Sequence, residues 1–360
     1  DLGADAPGRA GDEDDAVRFH VQGGGRGVGS LKHPAGGPGW YDRRISEDPR
    51  AFARMLSFLP PTVRAVAAFL MLVANTLFWC LLLFALALVK LVLPFAAVRA
   101  AIDPMLNGVA TRWIAGNSAW MRLTQRTAWD VQGLEGFEYR GWYMVCANHQ
   151  TWADIFVLQH LFNRRIPLLK FFLKHELIWV PVMGLAWWAL DFPFMRRHSD
   201  QYLRKHPEKR LEDLETTRRA CAKFALLPTS VMNFVEGTRF TPDKHAAQRS
   251  PYRHLLKPKA GALALSLNAL GDRFDSMIDV TIVYPGGAPS FWQFLRGDVE
   301  RIVVRVDRHA IPPEFCSGNY MADSRLRKRV QAWLHELWQR KDRRIDELLA
   351  ATAPGAQGAD

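Results

Sequence analysis

The stretch Trp142-Tyr-Met-Val-Cys-Ala-Asn-His149-Gln-Thr-Trp-Ala-Asp154 decides how we expect this chain to fold. Its first five residues are apolar and uncharged, which is typical of a short buried strand. Asn148 ends that run, and the apolar residues that recur after Trp152 predict a helix. The stretch therefore predicts a strand, a turn and a helix, with an ionisable pair at the point where a buried strand gives way to a helix.

The spacing of His149 and Asp154 restricts how this pair can meet. Five residues on an ideal helix leave two side chains roughly 140° apart, so they would not share a helix face. They can meet only if His149 lies in the turn and Asp154 reaches back from the first helical turn. The carboxylate would then fix the imidazole tautomer and stabilise the imidazolium. The alternative, which the spacing by itself favours, is a surface histidine beside a carboxylate that interacts with the helix dipole.

The composition indicates an anionic partner but does not choose one. The chain has 360 residues, 49% of them hydrophobic, which suffices for one large domain or two smaller ones. Lys and Arg number 47 against 36 Asp and Glu, a net charge of +11 that suits phospholipid headgroups, a phosphorylated substrate or nucleic acid. The cysteines are far apart and form no C-x-x-C, so neither a zinc site nor a disulfide framework is predicted. Cys146 is expected in the core, not as a nucleophile.

Residues 65–89 contain no charged side chain and exceed the ~20 residues that cross a bilayer as a helix. We predict a membrane helix there, which either crosses the bilayer or folds back as a helical hairpin within one leaflet. Basic residues flank both ends, so the charge rule for orientation does not decide. An amphipathic helix with tryptophans at its membrane interface is expected over residues 102–124. Residues 60–124 together are predicted to form a membrane-associated helical segment.

The remaining apolar runs alternate between strand and helix patterns, which favours an α/β fold with a mixed sheet flanked by helices over residues 125–349. Residues 1–48 are rich in Gly, Pro and Asp and are predicted to be a disordered tail, as is the end of the chain, 350–360. Residues 177–190 should form a hydrophobic surface that packs on the core or dips into lipid. The helical pattern from Leu326 predicts either a packed terminal helix, which we favour, or a helix on the membrane surface. Besides the opening strand, strands are predicted at 127–131, 230–235, 280–284 and 302–306.

Four ordered stretches of this sequence resemble the sequence blocks of the glycerolipid acyltransferases, a family that includes the 1-acyl-glycerol-3-phosphate acyltransferases. The stretches are Asn148-His-Gln-Thr-Trp-Ala-Asp154, Phe192-Pro-Phe-Met-Arg-Arg197, Phe234-Val-Glu-Gly-Thr-Arg239 and Val280-Thr-Ile-Val-Tyr-Pro285. Each block is weak by itself, but all four in order behind an apolar segment are specific. The resemblance covers about residues 65–345. The longer string from Phe234 to His245 is similar to a subgroup shared by a bacterial inner-membrane branch and some eukaryotic enzymes.

The resemblance implies transfer of an acyl group from a thioester, acyl-CoA or acyl-carrier protein, to the free hydroxyl of a lysophospholipid, first of all lysophosphatidate. The thioester is a co-substrate, and neither a cofactor nor a metal is expected. Because an alcohol is a poor nucleophile near neutral pH, a base must take its proton, and His149 would be that base with Asp154 orienting it. No serine or cysteine nucleophile is needed.

The other site residues are assigned by the same resemblance. The phosphate of the substrate calls for guanidinium groups, which Arg239 and either Arg196 or Arg197 would supply. Glu236 would bind a substrate hydroxyl or brace Arg239, and a backbone N–H near the Gly237 turn would bind the oxyanion. The substrate-binding candidates are Glu236, Gly237, Thr238, Arg239, Arg196, Arg197 and Lys174.

The expected partners are a phospholipid membrane, the lysophospholipid and the acyl donor, in the bacterial inner membrane with the active site facing the cytoplasm. One alternative keeps the chemistry and changes the acceptor to lysophosphatidylglycerol, lysophosphatidylinositol or a similar lipid. A basic nucleic-acid-binding protein is a further alternative, but no nucleic-acid-binding signature and no clustered carboxylates are found, so no nucleic acid is expected. A scaffold without catalytic activity conflicts with the complete set His149, Asp154, Glu236 and Arg239.

Overall fold

The computed structural model describes residue 56 and residues 58–195, 227–270, 273–317, 320 and 323–352. The tail predicted over residues 1–48 lies outside this part of the chain, as does all but the start of the tail predicted over 350–360. Arg196 and Arg197 also lie outside it, so the basic end of the second sequence block carries no structural description.

The described residues form an α/β fold, as the sequence predicts. The strands are β1 Ala128–Gln132, β2 Tyr143–Ala147, β3 Leu169–Phe171, β4 Leu173–Lys174, β5 Phe194–Met195, β6 Ser230–Asn233, β7 Ser276–Val283 and β8 Arg301–His309. The helices are α1 Pro61–Val92, α2 Ala96–Thr124, α3 Ala153–Phe162, α4 Met183–Ala189, α5 Pro242–Gln248, α6 Ala260–Leu270, α7 Phe291–Arg296, α8 Pro313–Ser317 and α9 Ser324–Thr352. A 3₁₀ helix, His175–Trp179, precedes α4.

Among these strands, β1-β8-β7-β2-β6-β3 is the order in the main sheet, and β4 and β5 pair separately. Neighbouring strands of the main sheet are parallel except β7 and β8, which are antiparallel, so the sheet is mixed as predicted. The strands β2, β6 and β7 are buried along their whole length because helices cover both faces. Side chains alternate between the two faces of β2: Val145 packs in the core cluster that includes α2 and α3, and Met144 in the cluster that includes α6 and α9.

The strand β7 begins four residues before the predicted start at 280. The prediction was too short because a charged residue interrupts the apolar pattern of the strand. Asp279 is buried in the middle of the strand. The Nζ atom of Lys341, on α9, lies 2.8 Å from Asp279 Oδ1 and 2.5 Å from the carbonyl oxygen of Val280. A distant lysine thus makes this carboxylate tolerable in the core. The prediction of a packed terminal helix is confirmed, since the apolar stripe of α9 is buried.

The helices α1 and α2 form a hairpin whose turn contains Pro94. Polar side chains bind across the hairpin: the Nδ2 atom of Asn75 donates to the Trp113 carbonyl oxygen and to Asn117 Oδ1, both at 2.9 Å. The helix α2 packs on the globular part. Trp120, for which an interfacial position was expected, is buried with its ring between Phe156 and Phe294, each 6.0 Å away. That expectation is wrong because this face of α2 covers α3 and α7 instead of meeting lipid.

Both ends of α1 contact the same globular part. Near its start, Arg64 Nε donates to the carbonyl oxygen of Arg296 at 2.5 Å. At its other end, Lys90 Nζ lies 2.6 Å from Asp103 and 2.9 Å from Asp191, which follows α4. Between these contacts one face of the helix is exposed and apolar. Among the described residues α1 alone is long and apolar enough to cross a membrane.

The segment between β4 and β5 carries an exposed hydrophobic surface. Trp179, at the end of the 3₁₀ helix, is 82% exposed, and Leu185 and Trp188 on α4 are also exposed. Trp187 instead packs against the core. Of the two sequence-based alternatives for residues 177–190, the exposed side chains favour contact with lipid over packing on the core.

Candidate active site

The turn that follows β2 is attached to β7 by an asparagine side chain. The Nδ2 atom of Asn148 donates to the carbonyl oxygen of Ile282, and the backbone N–H of Ile282 donates to Asn148 Oδ1, both at 2.8 Å. This amide reproduces the backbone pairing of a strand at the point where β2 has ended. The next residue, His149, is thereby placed at the carboxyl edge of the parallel strands, where α/β proteins bind their ligands.

The structure brings His149 and Asp154 into direct contact. His149 lies in the turn and Asp154 in the first turn of α3, and the distance from His149 Nδ1 to Asp154 Oδ2 is 2.8 Å. This is the geometry that the five-residue spacing requires if the pair is to meet. Asp154 is fully buried and the His149 side chain is 13% exposed, so the alternative of an independent surface histidine does not fit.

The buried carboxylate of Asp154 is held by several donors besides the imidazole. The backbone N–H groups of Gln150 and Thr151 donate to Oδ2 at 2.6 and 2.9 Å. The Tyr284 hydroxyl donates to Oδ1 at 2.7 Å. Burial and the neighbouring Asp154 charge raise the pKa of Tyr284 well above its ordinary value, so the phenol remains a donor. These bonds compensate the cost of burying the carboxylate and fix its orientation.

His149 is held in place by a contact on the face of its ring and by a hydrogen bond to its backbone. The ring of His149 stacks on Phe234 with centroids 3.9 Å apart and 12° between the planes. The carbonyl oxygen of His149 accepts from the Phe240 N–H at 2.7 Å. Since Nδ1 faces Asp154, Nε2 is the ring nitrogen that can take a proton from a substrate.

Glu236 holds the backbone on which His149 sits. Its Oε1 accepts from the His149 N–H at 2.9 Å, and its Oε2 accepts from the Leu256 N–H at 2.8 Å. Burial raises the pKa of this carboxyl to about 7, although both N–H groups oppose that effect. The sequence-based interpretations gave Glu236 a substrate hydroxyl or Arg239 as its partner. The structure instead gives it two backbone groups from segments far apart in the chain.

The loop that carries Leu256 is in turn fixed to α9. Asp342 accepts from the backbone N–H groups of Arg253 and His254, both at 2.8 Å. The hydroxyl of Tyr252 lies 2.5 Å from Nδ1 of His335. The terminal helix therefore supports the active-site turn through this loop and Glu236.

The turn after β6 places the third sequence block beside the His149 backbone. Gly237 has a φ of +72°, which favours glycine, and its N–H donates to the Phe234 carbonyl oxygen at 2.8 Å. This N–H therefore already has an acceptor within the turn. If a backbone N–H near Gly237 binds the oxyanion, as the sequence predicts, it is that of another residue. The guanidinium of Arg239 lies 4.9 Å from the ring centroid of Trp152, a cation–π distance. Lys244 Nζ donates to Thr238 Oγ1 at 2.9 Å and so adds a cation to this turn.

Lys174 lies in a separate small sheet next to the second sequence block. In the parallel pair of β4 and β5 it is in register with Met195, the residue that precedes Arg196. Its side chain is mostly exposed and forms an ion pair with Glu176 at 3.3 Å. The structure thus joins Lys174 to the second block of the sequence.

Sequence reasoning missed several residues of this site. Tyr284 stood in the fourth block but had no role, and nothing marked Asn148 as a backbone mimic or Phe234 as a ring partner. Cys146 is fully buried, and burial raises the pKa of its thiol, so it is a core side chain. Within the described part of the chain no cluster of three or more His, Cys, Asp or Glu side chains can hold a metal ion.

A family model described as acyltransferase matches residues 128–285, from the first residue of β1 to the turn after β7. The mouse 1-acyl-sn-glycerol-3-phosphate acyltransferases epsilon and gamma are 24% and 26% identical to this chain over 233 and 240 residues. Residues 128–285 of this chain are therefore similar to the acyltransferase family, and these two relatives are glycerolipid acyltransferases by name. Zebrafish lysocardiolipin acyltransferase 1, whose name gives a different lysolipid, is 26% identical over 259 residues.

The alignments cover 58% of this chain for the epsilon relative, 62% for the gamma relative and 67% for the zebrafish relative. It spans 58%, 57% and 63% of those proteins, less than two thirds of each. Among solved structures, the 1-acyl-sn-glycerophosphate (LPA) acyltransferase PlsC from Thermotoga maritima superimposes with a TM-score of 0.43 and 16% identity. That superposition covers 77% of this chain and 98% of the other.

Proposed function

We propose that this protein is a membrane-bound O-acyltransferase that acylates the free hydroxyl of 1-acyl-glycerol-3-phosphate and yields phosphatidate. The acyl donor is a thioester, either acyl-CoA or acyl-carrier protein. The observation that carries the proposal is the contact between His149 and Asp154. It leaves Nε2 of a positioned imidazole at the carboxyl edge of the sheet, within a family of acyltransferases.

The reaction needs one base and no covalent enzyme intermediate. Nε2 of His149 takes the proton of the acceptor hydroxyl as its oxygen attacks the thioester carbonyl carbon, and Asp154 stabilises the imidazolium that forms. The tetrahedral intermediate then collapses: the carbon–sulfur bond breaks, the new carbon–oxygen ester bond remains, and the thiolate takes the proton from the imidazolium. The stacked Phe234 ring and the Glu236 contact keep the imidazole in place during both proton transfers.

The turn after β6 supports recognition of the acceptor phosphate. Arg239 supplies a guanidinium fork, the group that matches phosphate oxygens geometrically, and Trp152 holds it from the side of the α3 turn. The turn binds the His149 backbone through the Phe240 N–H, so the base and this cation are fixed to one another. In this proposal the phosphate binds at Arg239 while the hydroxyl of the same lipid meets Nε2.

The contacts of α1 support a placement in one leaflet of the membrane. A helix of 32 residues is about 48 Å long. If it crossed the bilayer, its ends would lie on opposite sides, yet Arg64 and Lys90 at its two ends both contact the same globular part. We infer that the hairpin folds back and that the exposed apolar face of α1 enters lipid. The bacterial inner membrane, with the active site facing the cytoplasm, remains our prediction.

A second acceptor has support from the comparisons. A relative named lysocardiolipin acyltransferase matches a larger share of this chain than the two mouse relatives do. Acylation of another lysophospholipid, such as lysophosphatidylglycerol or lysophosphatidylinositol, is therefore the second candidate. The base and its carboxylate would act in the same way on each of these acceptors.

The test is acyl transfer by membranes that contain the protein, supplied with lysophosphatidate and labelled long-chain acyl-CoA. We expect labelled phosphatidate from the wild type, background from His149→Ala, and wild-type product from His309→Ala, whose position on β8 is level with the start of β2, at the other end of the sheet from His149. Product from His149→Ala would overturn the assignment of the base. Product with another lysophospholipid but not with lysophosphatidate would replace the acceptor. No product with any lysophospholipid and either donor class would overturn the proposed function.

A further inference from the structure

The catalytic carboxylate has a hydrogen-bond partner from a distant strand that the proposed mechanism does not use. The phenol of Tyr284 donates to Asp154 Oδ1 at 2.7 Å, on the oxygen that does not face His149. The two residues are 130 positions apart in the chain. Both side chains are buried, so water does not replace this contact in the folded protein.

The position of Tyr284 relative to the base is set by the sheet. β7 lies beside β2, and the Asn148 side chain fixes the register of the two at Ile282. Tyr284 follows two residues later, so its side chain lies on the same face as that of Ile282, the face covered by α3. Asp154 is in the first turn of α3. The strand and the helix that carry the two partners therefore pack directly on one another.

A second buried tyrosine shows what an ordinary core phenol does in this sheet. Tyr143, at the start of β2, is as buried as Tyr284, and its hydroxyl accepts from the backbone N–H of Glu138 at 2.9 Å. That contact fixes a loop at the opposite edge of the sheet. Packing alone would be met by phenylalanine at either position. The difference is that the hydroxyl of Tyr284 donates to Asp154, the carboxylate that contacts the proposed base.

We propose that Tyr284 is a positioning residue of the acyl transfer, acting on His149 through Asp154. Its hydroxyl holds Oδ1, so that Oδ2 stays directed at Nδ1 of the imidazole. A donor to an ionised carboxylate also favours the ionised form. Without this donor, Asp154 would attract the proton that it shares with His149 more strongly, so the pH dependence of the Tyr284→Phe protein tests the contact.

This inference rests on the proposed role of His149 as base, so its test includes a measurement that needs no turnover. Diethyl pyrocarbonate modifies unprotonated imidazole, and mass spectrometry of the peptide that contains His149 gives its rate of modification against pH. The intact protein in detergent is compared with Tyr284→Phe and with the matched control Tyr143→Phe. Steady-state kinetics with lysophosphatidate and acyl-CoA are measured on the same three proteins.

We expect the midpoint for His149 modification in Tyr284→Phe to lie higher by about half a pH unit or more, in keeping with one lost hydrogen bond to a charged group. We expect kcat to fall about tenfold, KM for the acceptor to stay within about twofold, and the acid limb of the rate profile to move up with the midpoint. Tyr143→Phe should keep the wild-type midpoint and kcat even if it loses as much thermal stability. In an Asp154→Asn background, Tyr284→Phe should shift the midpoint no further.

The opposite results overturn the inference. A Tyr284→Phe protein with the wild-type midpoint and kcat, or with the same changes as Tyr143→Phe, would leave Tyr284 as a core side chain only. A Tyr284→Phe protein that does not fold while Tyr143→Phe folds would make the hydroxyl a structural requirement. If the wild type transfers no acyl group, the proposed function fails, and the midpoint of His149 still decides whether Tyr284 acts on the pair.

Discussion

Replacing Glu236 with glutamine should change how the stability of this protein depends on pH. The carboxyl is fully buried, and burial raises its pKa from an ordinary value of 4.5 to about 7. In the unfolded chain the group loses its proton near the ordinary value, whereas in the folded protein it keeps the proton until about pH 7. Glutamine has no proton to lose and removes this difference between the two states.

The direction follows from which state binds the proton. Below pH 4.5 both states are protonated at this position, and above about pH 7 neither is. Between those values the folded protein holds a proton that the unfolded chain has released, so its stability falls as the pH rises through this window. At about 1.4 kcal/mol per pH unit, the interval from 4.5 to about 7 corresponds to about 3 kcal/mol.

The assay is urea unfolding in detergent, followed by tryptophan fluorescence, at pH 5 and at pH 8. All other groups titrate in both proteins, so the quantity to compare is the wild-type minus Glu236→Gln difference in the free energy of unfolding. We expect this difference to favour the wild type more at pH 5 than at pH 8, by about 2–3 kcal/mol. Glu336→Gln, which changes an exposed carboxylate on α9, should show no such change. An equal difference at the two pH values for Glu236→Gln would refute the reasoning.

Two further predictions concern charged side chains in and beside the site. Lys341→Met leaves Asp279 buried without its cation and should lower the free energy of unfolding by about 3–5 kcal/mol, measured by urea unfolding. Activity per folded molecule should stay unchanged. Lys328→Met, at an exposed position, is the control, and an equal loss of stability in both variants would contradict the prediction. Arg239→Lys replaces a fork by a point charge and should raise KM for the lysophospholipid about tenfold with kcat within about twofold. Exposed Arg343→Lys should leave both constants unchanged, and an unchanged KM in Arg239→Lys would show that the phosphate binds elsewhere.

Local sequence patterns were enough to predict the strand, turn and helix that carry His149 and Asp154. The apolar run of β2 and the helical spacing after Trp152 are both local, and the five-residue spacing leaves one geometry in which the pair meets. The apolar segment of α1 was readable for the same reason, since its length and lack of charge are properties of one continuous stretch.

The parts that sequence reasoning could not supply are contacts between segments distant in the chain. Asn148 binds Ile282 across 134 positions, and Glu236 binds the His149 N–H across 87. In each case the side chain completes backbone pairing that only the folded sheet brings within reach. The early part of β7 was missed because Asp279 looks like a surface residue until Lys341 is placed beside it. Periodicity reports which face is buried, but not which buried polar groups meet there.

The attachment of α1 at both ends has a consequence for the kinds of membrane this protein can inhabit. A helix that crosses a bilayer must match its apolar length to the thickness of the hydrocarbon, and a mismatch is relieved by tilting or by deforming the lipid. With Arg64 and Lys90 both bound to the globular part, α1 cannot tilt independently of that part. If α1 enters a single leaflet, as we propose, it has no opposite surface to reach. Acyl-chain length in the host bilayer should therefore leave its seating, and the depth of His149, unchanged.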